Sequence, residues 1–357
     1  MTTEEEERLP GYSDPAVVRH FDAPEAMGVK FFEVRAKSAL NRVPEISQVP
    51  FRWTINPYRG CTHACEFCFA RPTHEYLDMN ARDDFDKKIV VKVNLPELVR
   101  KELNRPSWKG EHVALGTNTD PYQWVEKRYR LTRGVWEAMR DFKNPCSVLT
   151  KSPLLLRDLD LFKEIAAVAP FTANLSIPTI DEKVWRQTEP HTPNPRARIE
   201  AVAELTRAGI NCGVLVAPLI PGVNDDPAQV QEIVDACAEA GASHIGGICL
   251  HLRGPVKDIW FEWLEAYRPD LLPRYEQMYA RGAYAPRVER ERVMNLVRDA
   301  RPESGLKPPP DYRYRQRTAA RAPAARLLRG GLAEARSRRA SDDPDDDDGA
   351  PIQQSLF

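Results

Sequence analysis

Asn56-Pro57-Tyr58-Arg59-Gly60-Cys61-Thr62-His63-Ala64-Cys65-Glu66-Phe67-Cys68 sets three cysteines within eight residues, at C-x3-C-x2-C spacing, just after a short β-branched run at 51–55. Cubane iron–sulfur clusters are held by thiolates, normally four. Three close cysteines with no obvious fourth therefore leave one iron without a protein ligand, and an open iron is a binding site for a substrate or cofactor. The alternative is a zinc site with His63 or His74 completing a Cys3His set. Zinc sites usually pair one C-x2–4-C with a second, distant pair, which this chain lacks. The remaining cysteines, Cys146, Cys212, Cys237 and Cys249, are scattered among apolar residues and read as buried free thiols. Seven cysteines, three of them clustered, suit a reducing compartment better than a disulfide framework.

Outward from this loop, candidate strands at 51–55, 112–116, 147–150, 171–177, 213–218 and 244–250 alternate with helical stretches at 95–103, 128–140, 154–168, 195–208 and 227–240. That alternation is the signature of βα units around a parallel sheet. Several strands end in polar or glycine-rich turns, such as Gly116-Thr117-Asn118-Thr119-Asp120 and Gly222-Val223-Asn224-Asp225. In α/β sheets and barrels the loops at the C-terminal strand ends carry the chemistry, so the motif residues are expected on one face. After about residue 255 the pattern turns helical and aromatic (Trp260, Phe261, Trp263, Tyr267, Tyr275, Tyr279), which predicts a helical cap packed on the core.

The 357 residues, 42% of them apolar, suffice for one large α/β domain with extensions. Lys+Arg 51 against Asp+Glu 52 gives no global charge that argues for nucleic acid or membrane. The acidic start MTTEEEERLP and the lack of a long apolar run predict a soluble, cytoplasmic protein without a membrane partner. The first ten residues and the last forty or so are charge-rich and read as tails.

C-x3-C-x-aromatic-C after the first strand, with Phe67 at the aromatic position, resembles the signature of the radical S-adenosylmethionine (SAM) superfamily. The resemblance implies a [4Fe–4S] cluster on Cys61, Cys65 and Cys68, with SAM chelating the open iron. It also implies an external electron donor, and cleavage of SAM to methionine and a 5′-deoxyadenosyl radical. The family's core is a partial (β/α)6, TIM-like barrel, in agreement with the six strands counted above. The fold class expected is thus α/β: an N-terminal extension at 1–45, a core at 46–255, a helical C-terminal extension at 256–312 and a disordered tail at 313–357.

Further motifs resemble the spore photoproduct lyase-like branch of that superfamily: Gly116-Thr117-Asn118-Thr119-Asp120-Pro121-Tyr122-Gln123 with Glu126 and Leu131-Thr132-Arg133, then Leu149-Thr150-Lys151-Ser152. Ser176-Ile177-Pro178, Glu189-Pro190 and Ala217-Pro218-Leu219-Ile220-Pro221-Gly222-Val223-Asn224-Asp225 continue the series. By this resemblance Lys151 pairs with the SAM carboxylate, a role suited to a point cation. The resemblance also implies that Thr119 and Ser176 hydrogen-bond its polar groups; from their own chemistry Asp120 is expected as a SAM or substrate contact, and Arg59 and His63, flanking the cysteines, either tune the cluster or are solvated loop charges. The branch carries a cysteine hydrogen donor where this chain has Thr117, so thymine-dimer reversal is not expected.

Between residues 313 and 339 the chain has nine arginines and one acid, Glu334, and six of the seven residues at 342–348 are aspartate. Such a segment is a solvated tail or a salt-sensitive phosphate contact. The last five residues, Gln353-Gln354-Ser355-Leu356-Phe357, resemble the pentapeptide that docks bacterial DNA polymerases and repair proteins on the sliding clamp. With the lyase-like core they point to a DNA substrate. The competing expectations are a radical enzyme acting on a protein or small molecule, and a non-catalytic zinc-stabilised DNA-binding protein.

Overall fold

A computed structural model describes residues 5–45, 47, 49–301 and 306. The tail at 313–357, with its arginine and aspartate runs and its terminal pentapeptide, lies outside the described residues. Among the described residues no helix is long and apolar enough to cross a membrane.

Six parallel strands form the core: β1 (Trp53–Ile55), β2 (Val113–Leu115), β3 (Cys146–Thr150), β4 (Phe171–Ser176), β5 (Cys212–Leu219) and β6 (His244–Cys249). They lie side by side in chain order, with the short strand Asn41–Arg42 antiparallel to β1 at one edge. β6 does not pair with β1, so the sheet is an open, partial barrel. The register is regular, with Ala114 beside Ser147, Ala173 beside Val148 and Asn174 beside Gly213. These strands form where β-branched and other apolar residues are buried. Val113, Val148, Leu175, Val214 and Val216 are all inaccessible, and burying each such side chain contributes about 1.5–3 kcal/mol.

The crossover helices cover the sheet: α1 (Leu95–Leu103), α2 (Leu131–Asp141), α3 (Leu159–Val168), α4 (Pro195–Arg207) and α5 (Pro227–Glu239). Local chemistry starts several of them. Asn194 and Asp226 accept hydrogen bonds from Arg196 N (2.8 Å) and Ala228 N (3.0 Å), each just ahead of a proline at the first helical turn. The stretch expected as one helix over 128–140 is broken at Arg130, whose φ of 53° is left-handed, and α2 begins only after it. Likewise 154–168 opens as a 3-10 turn, Pro153–Asp158, before α3.

The N-terminal segment is folded rather than a tail from residue 5 on. Glu6–Glu7, Ala16–Arg19, Lys30–Val34, Lys88–Lys92 and Tyr58–Arg59 form a second sheet in that order. Leu9, Val18, Phe32, Val34, Leu77, Met79 and Val90 close a small apolar core beside it. Tyr58 and Arg59, within the cysteine loop, pair with Val91 and Val90, so this sheet holds the loop from behind its cysteines.

After β6 the chain forms α6 (Pro255–Tyr267), α7 (Leu272–Met278) and α8 (Arg287–Ala300). The aromatic stripe is core, as expected: Trp260, Trp263, Tyr275 and Tyr279 are buried, while Tyr267 points out. α6 reaches the cysteine loop, with the Trp260 and Phe67 ring centroids 6.4 Å apart.

The tightest backbone approach is at Gly116, which ends β2 with φ +88°. A Cβ there would stand 1.9 Å from the Leu149 carbonyl oxygen. Gly116→Ala is therefore expected to cost about 3 kcal/mol or more, from left-handed strain plus overpacking against backbone. Urea unfolding checks this, and an unchanged midpoint would contradict the close approach.

Candidate functional site

The cysteine loop is clamped by residues far away in sequence. Cys61 N donates to Phe85 O (3.0 Å) and Glu66 N to Thr188 O (3.0 Å). Arg71, fully inside, donates to the carbonyls of Ala64 (3.1 Å), Cys65 (3.0 Å), Ala81 (3.1 Å) and Arg82 (2.9 Å). One guanidinium thus satisfies four buried acceptors, which only its forked set of donors allows. At the start of the loop Lys92 Nζ donates to Asn56 O at 3.0 Å. Burial, reinforced by Arg59, lowers the Lys92 pKa to about 7.

The turn after β2 grips the same loop. Thr119 Oγ1 donates to Gly60 O (2.6 Å), and Gln123 Nε2 donates to that carbonyl (3.1 Å) and to Thr119 Oγ1 (3.0 Å). Gln123 Oε1 in return accepts from Thr62 N at 3.0 Å. The Asn56 side-chain oxygen accepts from Thr117 Oγ1 (3.2 Å) and Asn118 N (3.1 Å). Asp120 takes hydrogen bonds from Tyr122 N (2.8 Å), Thr150 Oγ1 (2.6 Å) and Lys151 N (2.8 Å), and its other side faces His63 Nδ1 at 3.3 Å. Burial opposes its charge, but His63 and these donors hold its pKa below the ordinary carboxylate value. Thr119 and Asp120, expected at the cofactor, therefore spend their side chains on shaping the loop.

The three clustered thiols lie close together, Cys61 and Cys65 buried and Cys68 half-buried. Burial raises the Cys65 pKa, as do Glu189 and the two other thiols; Cys68 is pushed up to about 11 by burial and then by Cys61. Crowded, mutually repelling thiols are stabilised as thiolates by a cationic centre. Among the described residues no three His, Cys, Asp or Glu side chains converge on one ion position. A tetrahedral zinc needs such convergence, whereas a cubane takes each thiolate on a different iron. Of the two histidines considered for zinc, His74 has its Nε2 2.9 Å from Lys88 O, and burial lowers its pKa to about 4. His63 faces Asp120 through Nδ1 at 3.3 Å, and although burial opposes its charge, Cys61 and Asp120 raise its pKa to about 10. The donor set fits a cubane better than a single ion.

Beside the thiols lies a network of buried charge. Lys151 Nζ donates to Ser176 Oγ (2.9 Å), sits 2.5 Å from Glu189 Oε1 and lies 5.6 Å from the Phe67 ring centre. The Ser176 hydroxyl donates to Ala217 O at 3.0 Å. Glu189 Oε2 accepts from Arg198 Nη1 at 2.9 Å, and Arg198 also binds Ser176 O, Thr192 Oγ1 and Pro193 O. Burial works against the Glu189 charge, yet Arg198 and then Lys151 keep its pKa low. Lys151 and Ser176, expected together, are together. Arg198, Glu189's second partner, carried no sequence signal, because its importance arises only when α4 docks on β4.

The sheet face bearing Lys151 and Ser176 is open. Leu149, Asn174, Leu215 and Ala217 alternate with buried neighbours but are themselves half-buried, and Ile248 on β6 is 45% exposed. The open strand ends thus adjoin the cysteine loop, through the contact of Lys151 with the Phe67 ring. Cys146 and Cys212 are inaccessible and Cys237 and Cys249 buried, as expected, with burial raising the pKa of all four.

Residues 55–246 match the Radical SAM superfamily domain. The chain is 44% identical over 306 residues to the uncharacterized protein Rv2578c of Mycobacterium tuberculosis, covering 85% of this chain and 90% of that one. It is 27% identical over 194 residues to the Radical SAM Nalpha-GlyT isomerase of Pseudomonas phage M6, covering 53% of this chain and 37% of that one. The fold is similar to that of spore photoproduct lyase complexed with dinucleoside spore photoproduct, with a TM-score of 0.59, 17% identity and coverage of 78% and 82% of the two chains. With a domain match over more than half its length, three cysteines at the right spacing and an open six-stranded barrel, this chain belongs to the radical SAM superfamily, whose members use a [4Fe–4S] cluster and SAM.

Proposed function

We propose that the chain is a radical SAM enzyme that cleaves SAM reductively and turns the resulting radical on a damaged or modified nucleobase in DNA. The observation that carries the first half is the juxtaposition of three clustered thiols, Cys61 and Cys65 buried and Cys68 half-buried, the Lys151–Glu189–Arg198 network and an open sheet face. Cys61, Cys65 and Cys68 would hold the cluster. When bound, it supplies the electron that breaks the sulfonium bond of SAM, giving methionine and a 5′-deoxyadenosyl radical.

The chain's own residues do the positioning. Lys151, braced by Glu189 and Ser176, offers its ammonium to the SAM carboxylate, a charge-assisted contact in a water-poor site. Ser176 turns its hydroxyl to the same group of polar atoms. Arg198 holds Glu189, and Glu189 holds Lys151, so the cation is pre-organised rather than flexible. Thr119, Gln123 and Asp120 keep the cysteine loop in register with the strand ends. Trp260 and Phe67 pack beside it and limit water.

The DNA half of the reading is supported by the fold shared with a lyase solved with a dinucleoside bound and by the clamp-like Gln353-Gln354-Ser355-Leu356-Phe357. Under this reading the tail tethers the enzyme to a sliding clamp, and an external donor reduces the cluster. Thr117 in place of a cysteine argues for an outcome other than dimer reversal, because a hydroxyl is a far poorer hydrogen-atom donor than a thiol.

Anaerobic reconstitution with iron and sulfide, then dithionite and SAM, is expected to yield 5′-deoxyadenosine by chromatography; Cys65→Ala is expected to yield none. Lys151→Ala is expected to raise the KM for SAM roughly ten-fold or more, with partial recovery in Lys151→Arg. Deleting 313–357 is expected to leave SAM cleavage intact and to abolish stimulation by clamp-loaded DNA; unchanged stimulation would remove the clamp from the account.

A further inference from the structure

Phe69, the residue after Cys68, begins a row of aromatic rings that runs across the mouth of the barrel. Its ring centre lies 5.6 Å from that of His251, which follows β6, and His251 is stacked on Tyr284, before α8, at 5.7 Å and 25°. The row is built by backbone: His251 and Tyr284 form an antiparallel bridge, and Leu252 N donates to Ala283 O at 2.8 Å. Its two ends are open to solvent, Phe69 being 49% and Tyr284 47% exposed. Large aromatics left out of the core are costly unless they meet a partner.

Two guanidiniums lie over Tyr284, Arg253 at 5.3 Å and Arg290 at 5.8 Å from the ring centre. Arg253 also contacts the Tyr284 hydroxyl. Neither arginine has a carboxylate partner among the described residues, and Arg290 Nε is buried without a hydrogen-bond acceptor. The neighbouring acids on α8 are already taken: Glu289 pairs with Arg274 and Arg292, and Glu291 with Arg287. His251 is held neutral by burial and by Arg253, so its ring is a π surface rather than a third cation. A row of rings open at Phe69 and Tyr284, with two arginines that have no carboxylate partner among the described residues, matches the two surfaces of a single-stranded nucleic acid: flat bases and an anionic backbone.

We infer that Phe69, His251 and Tyr284 form a stacking platform for an unpaired base of a DNA strand, with Arg253 and Arg290 on its phosphates. The platform rests on the nucleic-acid reading above and deepens it, because Phe69 lies next to a cluster cysteine. A base stacked there, or its neighbour in the strand, is delivered to the open strand ends beside the cysteine loop. The arrangement selects single-stranded or flipped-out bases over intact duplex, whose bases have no free face.

The test uses the full-length, cluster-reconstituted protein without SAM. It is titrated anaerobically into a short fluorescein-labelled oligothymidine, a duplex of equal length, and a strand carrying 2-aminopurine. The single strand is expected to bind more tightly than the duplex, and bound 2-aminopurine to be quenched by stacking. Tyr284→Ala and Phe69→Ala are each expected to weaken binding about five-fold or more and to relieve the quenching. Tyr284→Phe, which keeps the ring, is expected to stay within about two-fold of the native affinity, which separates lost stacking from lost folding. Native-like affinity and quenching in both alanine variants would overturn the platform, as would an equal loss in Tyr284→Phe or binding that disappears only on deleting 313–357. DNA-stimulated SAM cleavage separates the two proposals. Quenching without stimulation leaves the platform standing and removes DNA as substrate; stimulation unaffected by Tyr284→Ala does the reverse.

Discussion

One buried carboxylate joins the two halves of this molecule. Asp120 accepts from the end of β3 through Thr150 and Lys151 and from its own turn through Tyr122, and it faces His63 in the cysteine loop. Through it the strand ends that carry Lys151 and the loop that carries the thiols share a buried anchor, beside the contact of Lys151 with the Phe67 ring. An ionised carboxylate is costly to bury, and it persists here because its oxygens are met by donors from three segments. Removing any one donor leaves a charge in a dry place, which is why the loop has so little freedom. The same logic repeats at Arg71, where one guanidinium closes four carbonyls.

The Lys151–Glu189–Arg198 network is the second place where buried charge is set against function. A buried ion pair is weak evidence for stability, because desolvation offsets most of its attraction. What such a pair does provide is a fixed direction. Glu189 is held on both sides, so the Lys151 ammonium is oriented towards the open face beside the thiols before any anionic ligand arrives.

Much of this was legible in the sequence. The six short apolar runs with helical periodicity between them located all six strands within a few residues, since the face each strand packs under its helices leaves an apolar trace in the sequence. C-x3-C-x2-C pointed to the family that the domain match shows, and the strand-end motifs picked out Lys151 and Ser176, which hydrogen-bond to each other. The second sheet was not legible. Glu6–Glu7 is an acidic two-residue edge, and its pairing with Ala16–Arg19 has no periodicity to show. Arg130, with its left-handed backbone, broke a helix that the apolar spacing ran through. Arg71, Lys92 and Arg198 were missed for one reason: each is an ordinary cation in sequence, and only the tertiary fold surrounds it with carbonyls or a carboxylate. Thr119 and Asp120, expected at the cofactor, face the loop, because strand-end spacing reports position and says nothing of partners.

The central claim is that three thiolates leave one iron of a cubane open to SAM. Electron paramagnetic resonance of the reconstituted, dithionite-reduced protein, recorded with and without SAM and alongside iron, sulfide and zinc analysis, tests it most directly. The account predicts a [4Fe–4S]+ signal whose g-values shift when SAM is added, with about four irons and four sulfides per chain. Zinc without acid-labile sulfide, or a cluster signal indifferent to SAM, would contradict it.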